Sequence, residues 1–198
     1  MKQLRLIDIG NPRHAIEDFH YLGTMPSGKI YIFKHEDAVA VYSIPANKNI
    51  SRFLFGIDVD VWEFARCWAP DGHRPNLMSE AISATIKMLM KAEPLAAAVV
   101  AYADPNVGHT GGIYRAASWI FTGQSSEVRY YIGPDGKTIS RRSFHSGKTQ
   151  LTKAQIEAKG YRELRKPGKL RFVRGLKPWA RKALAARFKP GSREPTEA

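Results

Sequence analysis

Residue types that carry out acid–base chemistry are grouped within residues 102–119, YADPNVGHTGGIYRAASW. Asp104 ends the apolar run LAAAVVAYA, which is typical of a buried strand, and a glycine-rich loop containing His109 follows it. The short helix predicted after the loop carries Tyr114 and Arg115. A carboxylate at the C-terminal end of a strand lies where open α/β sheets bind ligands. We expect partial burial to raise the pKa of Asp104, which would make it a proton acceptor, with capping of the glycine turn as its alternative role.

A second group of polar residues surrounds the predicted start of the amphipathic helix LMSEAISATIKMLMKA. Asn76 and Ser79 lie at this start, where free backbone N–H groups and the helix dipole favour anions. Arg66, on the predicted strand VWEFARCW, and Arg74, in the loop between them, have the charge to bind the same anion. The alternative is an ordinary helix cap with its arginines in solvent.

His20 and Tyr21 follow the first predicted helix, beside the turn TMPSGK. A lone histidine is more often a satisfied polar residue than a catalyst, so His20 needs partners to be functional. His20, Asp104 and His109 lack the spacing of a metal site, and we predict no metal. The segment HSGKT resembles the end of a phosphate-binding loop, but Arg142 stands where that loop needs its first glycine. Nucleoside triphosphate hydrolysis is therefore not predicted.

The positive charge is concentrated in the C-terminal part of the chain. Residues 1–123 contain 12 Lys and Arg and 12 Asp and Glu, whereas residues 124–198 contain 19 and 6, the whole net charge of +13. Aromatic residues are interleaved with these cations, which is typical of phosphate contact combined with base stacking. We therefore expect a polyanionic partner, nucleic acid before a membrane or an acidic protein, with a solubilising tail as the alternative. The predicted phosphate contacts are Arg129, Arg141, Arg142 and Lys148.

Length and composition favour a single domain in the cytoplasm. A chain of 198 residues is long enough to bury one core. No apolar run has the length of a membrane span, and the N-terminus MKQLRLIDIG lacks the profile of a signal peptide. The single cysteine, Cys67, excludes an internal disulfide and fits a reducing compartment.

The predicted elements alternate in an order typical of one α+β fold. They are a strand LRLIDI, a helix capped by Asn11, a hairpin, a strand, the long helix, a strand, a short helix and a strand. A hairpin around residues 134–136, a helix capped by Thr152, the strand KLRFVRGL and the helix PWARKALAARF follow. This is the order of the GCN5-related N-acetyltransferase (GNAT) fold, a mixed sheet in which two parallel strands diverge. We predict a catalytic domain at 1–176, with 124–176 as its basic, aromatic-rich part, and a basic terminal helix and flexible tail at 177–198.

Four motifs follow one another along the chain: FHYLGTMPSGK, ARCW with GHRPNLMS, residues 102–119, and PGKLRFV. Together they resemble the Mom proteins of Mu-like phages over roughly residues 15–175. The resemblance implies a divergent acetyltransferase fold that modifies adenine in phage DNA at N6 with a methylcarbamoyl group, which blocks host restriction. It also implies an active cleft lined by six residues: His20, Tyr21, Arg66, Ser79, Asp104 and Tyr114.

We accordingly predict a phage transferase, located in the host cytoplasm, that acts on an adenine flipped out of duplex DNA. Asp104 is the predicted general base, His20 the proton shuttle or substrate orienter, and Tyr114 the proton donor or stacking partner. The predicted substrate- and donor-binding residues are Tyr21, Arg66, Asn76, Ser79, His109 and Arg115.

The sequence leaves the donor of the transferred group open between acetyl-CoA and an aminoacyl-tRNA. Acetyltransferases bind the coenzyme pyrophosphate with an Arg-x-x-Gly-x-Gly/Ala loop, whereas Arg66 is followed here by CWAPDGHRPN. Coenzyme A therefore binds differently or is not used, and tRNA becomes a second possible partner. One alternative function is an N-acetyltransferase of a protein or small amine. The other is a nucleic-acid-binding protein without catalysis.

Overall fold

The computed structural model describes residues 12–20, 22–146 and 149–188. The chain forms two compact units. Unit 1 comprises residues 1–103, 111–123 and 171–198, and unit 2 comprises residues 104–110 and 124–170. The predicted first strand LRLIDI and its following cap Asn11 lie outside the described residues. The predicted α+β class is confirmed.

Within the described part of the chain there are six α-helices: α1 Pro12–Phe19, α2 Ile50–Phe55, α3 Leu77–Ala92, α4 Gly112–Ala116, α5 Lys153–Glu157 and α6 Pro178–Arg187. The strands of the same residues are β1 Ile30–His35, β2 Ala38–Ser43, β3 Val61–Trp68, β4 Ala98–Ala103, β5 Ile120–Gln124, β6 Val128–Ile132, β7 Thr138–Ser140, β8 His145–Ser146, β9 Thr149–Gln150, β10 Arg162–Lys166 and β11 Leu170–Gly175. None of the helices in the described residues is long and apolar enough to cross a membrane.

Unit 1 is built on a six-stranded mixed sheet with the order β1-β2-β3-β4-β11-β5. Strands β1, β2 and β3 are antiparallel neighbours, whereas β3 and β4 are parallel. The parallel ladder starts with Val61 opposite Ala98 and ends with Phe64 opposite Ala101, although β3 continues to Trp68. The two parallel strands are therefore paired only over the first half of β3, which agrees with the divergence expected from the element order.

Helix α3 has the bounds predicted from its periodicity. Ile82, Ile86 and Leu89 recur at helical spacing and are buried, so they form one apolar stripe. Thr85 lies on the same buried side, and its hydroxyl shares a hydrogen bond of 2.9 Å with the hydroxyl of Tyr42 on β2. A polar pair inside the core is thus satisfied internally, which removes the penalty of burying either hydroxyl alone.

A second part of the unit 1 core lies under two helices, only one of which the sequence predicts. Helix α2 contributes Ile50 and Leu54, and α6 contributes Leu184, to a cluster with Val61 and Val173. Six residues are too few for a clear helical period, so α2 was not predicted. Since α6 belongs to this core, the basic helix is packed along at least one side. The domain boundary at 176/177 stays a prediction.

Unit 2 contains the three-stranded antiparallel sheet β10-β6-β7 and the two-stranded sheet β8-β9. Helix α5 begins with a capping box in which Thr152 and Gln155 each bind the other's backbone N–H group, as its sequence suggests. The ring of Phe144 packs edge-on against Tyr131 and Tyr161, with centroids 5.3 and 5.1 Å away. The sequence predicts the β6–β7 hairpin but not β10.

Candidate functional site

Asp104 follows the last residue of β4, and only 6% of its surface is exposed. Its Oδ1 accepts hydrogen bonds from the backbone N–H of Asn106 at 3.0 Å and from the side-chain amide of Asn106 at 2.9 Å. The carboxylate thereby caps the 3₁₀ turn Pro105–Val107. The second oxygen, Oδ2, lies 3.6 Å from the ammonium nitrogen of Lys169. Oδ1 thus caps this 3₁₀ turn and not the glycine turn expected from the sequence, while Oδ2 faces a cation.

The expectation that the pKa of Asp104 is raised was wrong in its net direction. Burial is the largest single influence and does raise the pKa. The hydrogen bonds from Asn106 and the ammonium of Lys169 together outweigh burial, so the pKa lies below the ordinary value for aspartate. The Asp104 carboxylate is therefore ionised at neutral pH and can accept a proton, although it is a weaker base than a raised pKa would make it.

Lys169 is held by a close approach of two backbone segments within unit 2. A Cβ on the preceding residue, Gly168, would lie 1.9 Å from the carbonyl oxygen of Ser125. Lys169 N–H donates to the Ser125 hydroxyl at 2.8 Å, and Ser125 N–H donates back to the Lys169 carbonyl at 2.9 Å. The side chain of Asn106 also binds the carbonyl of Pro167 at 3.0 Å. Lys169 has no predicted role, although it lies within the motif PGKLRFV.

Tyr114 lies on α4 with 8% of its surface exposed, inside a group of aromatic rings in unit 1. Its ring centroid is 5.2 Å from that of Trp119, 5.3 Å from that of Phe172 and 6.1 Å from that of Phe64. Gly111 has a φ of +81°, and a Cβ there would lie 2.3 Å from the ring of Phe172. The glycine turn therefore lets the backbone approach this group of rings where a larger residue cannot.

Two neighbours of Tyr114 differ sharply in their surroundings. Arg115 is exposed, and its guanidinium carbon lies 5.2 Å from the ring centroid of Phe172. The indole N–H of Trp119 is buried and has no hydrogen-bond acceptor among the described residues. An unpaired buried donor costs about 1–3 kcal/mol, and the indole N–H of Trp119 is such a donor within this group of rings.

The residues at the start of α3 make different contacts from those that the sequence predicts. Asn76 is the N-cap residue as predicted, but its side chain makes no capping bond, and the Ser79 hydroxyl donates to its carbonyl at 2.9 Å. Arg74 forms ion pairs of 2.6 Å with both Glu36 and Glu80, and these carboxylates raise its pKa. Arg74 is exposed, as the helix-cap alternative expects, and its guanidinium is bound by two carboxylates of the protein.

Arg66 and His20 are both bound to the turn that follows α1. The Nε of Arg66 donates to the carbonyl of Thr24 at 3.0 Å, and an Nη donates to the carbonyl of the preceding residue at 2.7 Å. The Nδ1 of His20 accepts from the backbone N–H of Leu22 at 3.2 Å. The Arg66 side chain thus connects β3 with this turn. Tyr21 lies outside the described residues.

Two of the four predicted phosphate contacts of unit 2 already have partners within the protein. The Nε of Arg129 lies 3.9 Å from a carboxylate oxygen of Glu163, and Arg141 donates to the hydroxyl of Tyr131 at 3.0 Å. The side chain of Arg142 and the whole of Lys148 lie outside what the structure describes. The assignment of these four residues to DNA stays a prediction.

One cluster in the described residues offers three ligand atoms of the kinds that bind metals. Atoms of His35, Glu36 and Glu80 all lie within 4.8 Å of one another. Both carboxylates, however, are also the partners of Arg74. The guanidinium already supplies the positive charge that a cation would bring.

Besides Arg66 and His20 at the turn after α1, the structure groups the described site residues in three local sets. Asp104 accepts a backbone hydrogen bond of 3.1 Å from His109, and Asn76 and Ser79 share the first turn of α3. Tyr114 and Arg115 both contact the ring of Phe172. The assembly of the three sets into one cleft stays a prediction.

Comparison with known proteins agrees with the sequence resemblance. A family model described as the Mom protein family matches residues 3–192, nearly the whole chain. No curated protein matches the sequence.

Proposed function

Because the chain belongs to the Mom protein family, the DNA adenine modification proteins of phages, we propose that it transfers an acyl- or aminoacyl-type group to N6 of a flipped-out adenine. The direct product of this transfer is an N6-acyl adenine, and the family resemblance implies that the finished modification is of the methylcarbamoyl type and protects phage DNA from restriction. The observation that carries the proposed chemistry is the buried carboxylate of Asp104, which keeps one oxygen for the turn and presents the other to Lys169.

A GNAT-like fold is part of this proposal. Its support is the parallel pair β3 and β4, whose ladder ends at Phe64 and Ala101 while β3 continues. Where parallel strands stop pairing, backbone N–H and C=O groups become available to a ligand. Arg66 lies on β3 just beyond this point, so the donor group is bound near the place where the two strands separate.

The chemical step needs a base because the amine of adenine is a poor nucleophile. Its lone pair is delocalised into the ring, and this delocalisation is lost when N6 attacks the donor carbonyl. The N6–carbon bond forms, the bond from the carbonyl carbon to the donor's leaving group breaks, and the N6 proton passes to Oδ2 of Asp104. The ammonium of Lys169, 3.6 Å from Oδ2, keeps that oxygen ionised until the proton arrives.

Tyr114 and His20 complete the proton path in this proposal. The hydroxyl of Tyr114 gives a proton to the leaving group, and the surrounding rings of Phe64, Trp119 and Phe172 hold the phenol in position. His20 returns the proton to Tyr114 or orients the substrate. Removing the base from the stack costs a few kcal/mol, and one or two aromatic contacts of about 1–3 kcal/mol each offset that cost.

The donor side of the proposed site comprises Arg66, Asn76 and Ser79, with Tyr21, His109 and Arg115 as further contacts. Acetyl-CoA and an aminoacyl-tRNA are the two candidate donors, and both bring anionic phosphate groups. The carbonyl-bound guanidinium of Arg66 is fixed in orientation, which suits a planar donor to an anion. The basic C-terminal part, including Arg129 and Arg141, contacts the DNA.

Mass spectrometry of nucleosides tests this function directly. DNA from cells that express the chain is digested to nucleosides and compared with DNA from cells expressing the Asp104→Asn variant. We expect a new adenosine-derived mass with the parent chain and none with the variant. The mass of the added group identifies the donor class.

Two other outcomes would replace the proposal. An unchanged nucleoside profile together with an acetylated protein or small amine would indicate an N-acetyltransferase. An unchanged profile with no acetylated product, while the purified chain binds DNA, would indicate a binding protein without catalysis.

A further inference from the structure

The cations of unit 2 and those of residues 171–188 are compensated in different ways. In unit 2, Lys153 and Arg165 each lie 2.9 Å from a carboxylate oxygen of Glu163, and Lys137 lies 3.5 Å from Asp135. Residues 171–188 contain six Lys and Arg and no Asp or Glu. None of these six cations forms an ion pair within the described residues. The six positive charges of residues 171–188 therefore have no carboxylate partner among the described residues, whereas part of the charge of unit 2 is neutralised locally.

The contacts that these cations do make leave their charge in place. Arg181 donates to the carbonyl of Leu176 at 3.2 Å, and Lys177 donates to that of Pro94 at 2.6 Å. The guanidinium carbon of Arg171 lies 4.0 Å from the ring centroid of Phe53, and that of Arg187 lies 5.9 Å from the same centroid. Carbonyl oxygens and ring faces orient a cation but carry no net charge, so the region remains attractive to a polyanion.

Exposed aromatic rings lie on the same surface. Trp179 on α6 is 46% exposed and Phe53 on α2 is 38% exposed. Each has an aromatic neighbour: Phe55 lies 5.4 Å from Trp179, and Phe188 lies 5.9 Å from Phe53, measured between centroids. We call this set of rings, with the cations of α6, the α2–α6 surface. Exposed rings beside cations that lack a carboxylate partner are the combination that single-stranded nucleic acid binds.

We propose that the α2–α6 surface binds an unpaired stretch of DNA, with Arg181, Lys182 and Arg187 at the phosphates and Trp179 and Phe53 stacked on bases. The positive charge fits any nucleic acid, whereas exposed ring faces contact base faces, which a duplex hides between its base pairs. The choice of DNA rests on the proposed function, in which a base must leave the stack. This surface is distinct from the predicted phosphate contacts of unit 2.

Tryptophan fluorescence provides the first test, with a short single-stranded DNA oligonucleotide added to the full chain. Trp62 and Trp119 are 1% and 5% exposed, whereas Trp68 is only partly buried, so the variant Trp179→Leu is what assigns a change on binding to Trp179. We expect quenching by single-stranded DNA and its loss in Trp179→Leu, with an affinity lower by about tenfold for one lost base stack. Tighter binding of duplex DNA or of RNA of the same sequence, measured by competition, would overturn the proposal.

Salt dependence provides the second test. The triple variant Arg181→Gln, Lys182→Gln, Arg187→Gln is compared with the matched triple variant Lys137→Gln, Lys159→Gln, Arg162→Gln, which removes the same charge from unit 2. The slope of log affinity for single-stranded DNA against log salt should fall by about 2 in the first variant, at about 0.7 per phosphate, and hardly at all in the second. Thermal midpoints show that both variants are folded.

Equal slopes in the two triple variants would overturn the α2–α6 surface. This failure is distinguishable from failure of the proposed function, because nucleoside mass spectrometry with the parent chain does not depend on either variant. Modified adenine with equal slopes rejects only the surface. Unmodified adenine with a Trp179-dependent response rejects only the transferase.

Discussion

Asp104 and Tyr114 lie at the two ends of the same glycine turn, yet the protein holds them by opposite means. Asp104 is fixed by polar contacts, two hydrogen bonds from Asn106 and the ammonium of Lys169. Tyr114 is fixed by the shapes of the rings around it, including Phe172. Nearby charge therefore determines the protonation state of Asp104, whereas packing determines the position of the Tyr114 ring.

This difference has a practical consequence for mutations. A substitution near Asp104 that keeps its size but changes a charge should alter reactivity more than folding. Near Tyr114, a substitution that keeps polarity but adds volume should alter folding more than reactivity. The predictions below test this contrast, beginning with the largest expected effect.

Asp104→Asn should lower the rate of DNA modification by about 10²–10⁴-fold, the usual contribution of a general base. The amide oxygen can still accept from Asn106, so the thermal midpoint should stay within a few degrees of the parent. Nucleoside mass spectrometry and a melting curve measure the two quantities. Asp135→Asn is the matched control, because Asp135 also accepts a backbone hydrogen bond, from Lys137 at 3.1 Å, and lies near its ammonium.

An Asp104→Asn variant with full activity would remove Asp104 from the mechanism. If that variant unfolds while Asp135→Asn does not, the main role of Asp104 is to cap the turn.

Gly111→Ala should destabilise the protein more than Gly108→Ala, although both glycines have a positive φ near 80°. An alanine in this conformation costs about 1–2 kcal/mol at either position. At Gly111 the new Cβ also meets the ring of Phe172 at 2.3 Å, whereas at Gly108 nothing lies within 4 Å. The overlap should add about 1–3 kcal/mol, a further fall of the midpoint by about 2–4 °C per kcal/mol.

Equal midpoints for the two alanine variants would show that the ring of Phe172 moves aside easily. The rings around Tyr114 would then be more mobile than their packing indicates, and they would not fix the position of Tyr114.

Lys169→Met should move the acidic limb of the pH–activity profile upward. Burial raises the pKa of Asp104 and Lys169 helps to lower it, so removing the cation should raise that pKa. Activity should fall most at acidic pH and recover as pH rises, because the base must be ionised. Carbon NMR of the Asp104 carboxyl group measures the same pKa without any substrate.

The pH dependence of the parent protein's stability should also reflect the lowered pKa of Asp104. The ionised carboxylate stabilises the fold above the ordinary aspartate range, and this contribution is lost as pH falls through the lower pKa of the folded state. Lys169→Arg should retain the parental profile. A pKa of Asp104 that is unchanged in Lys169→Met would show that the lysine does not control the carboxylate.

Local sequence patterns determined the elements whose signals lie within a few neighbouring residues. The stripe of Ile82, Ile86 and Leu89 predicted α3 with its observed bounds, because the periodicity of a helix depends only on residues within the helix itself. The cap at Thr152 predicted α5 for the same reason. Helix α2 and strand β10 were missed, because six and five residues are too short to show a period above chance.

The order of elements determined the α+β class but not the position of β11. That strand lies between β4 and β5, although unit 2 separates it from both in the chain. The insertion is decided by which strand edges remain open after folding, and these edges do not exist until distant segments meet. The family was likewise readable from four motifs in order, whereas the contact of Lys169 with Asp104 was not.

The distribution of charge shows most clearly what the sequence determines and what the tertiary structure determines. The sequence by itself determined that the whole net charge of +13 lies in residues 124–198. Only the tertiary structure decided that Glu163 takes Lys153 and Arg165 as partners while the cations of α6 have carbonyls and ring faces instead. The physical reason is that the strength of a charge interaction depends on distance in space. Counting residues along a chain measures the total charge, and folding determines where that charge remains uncompensated.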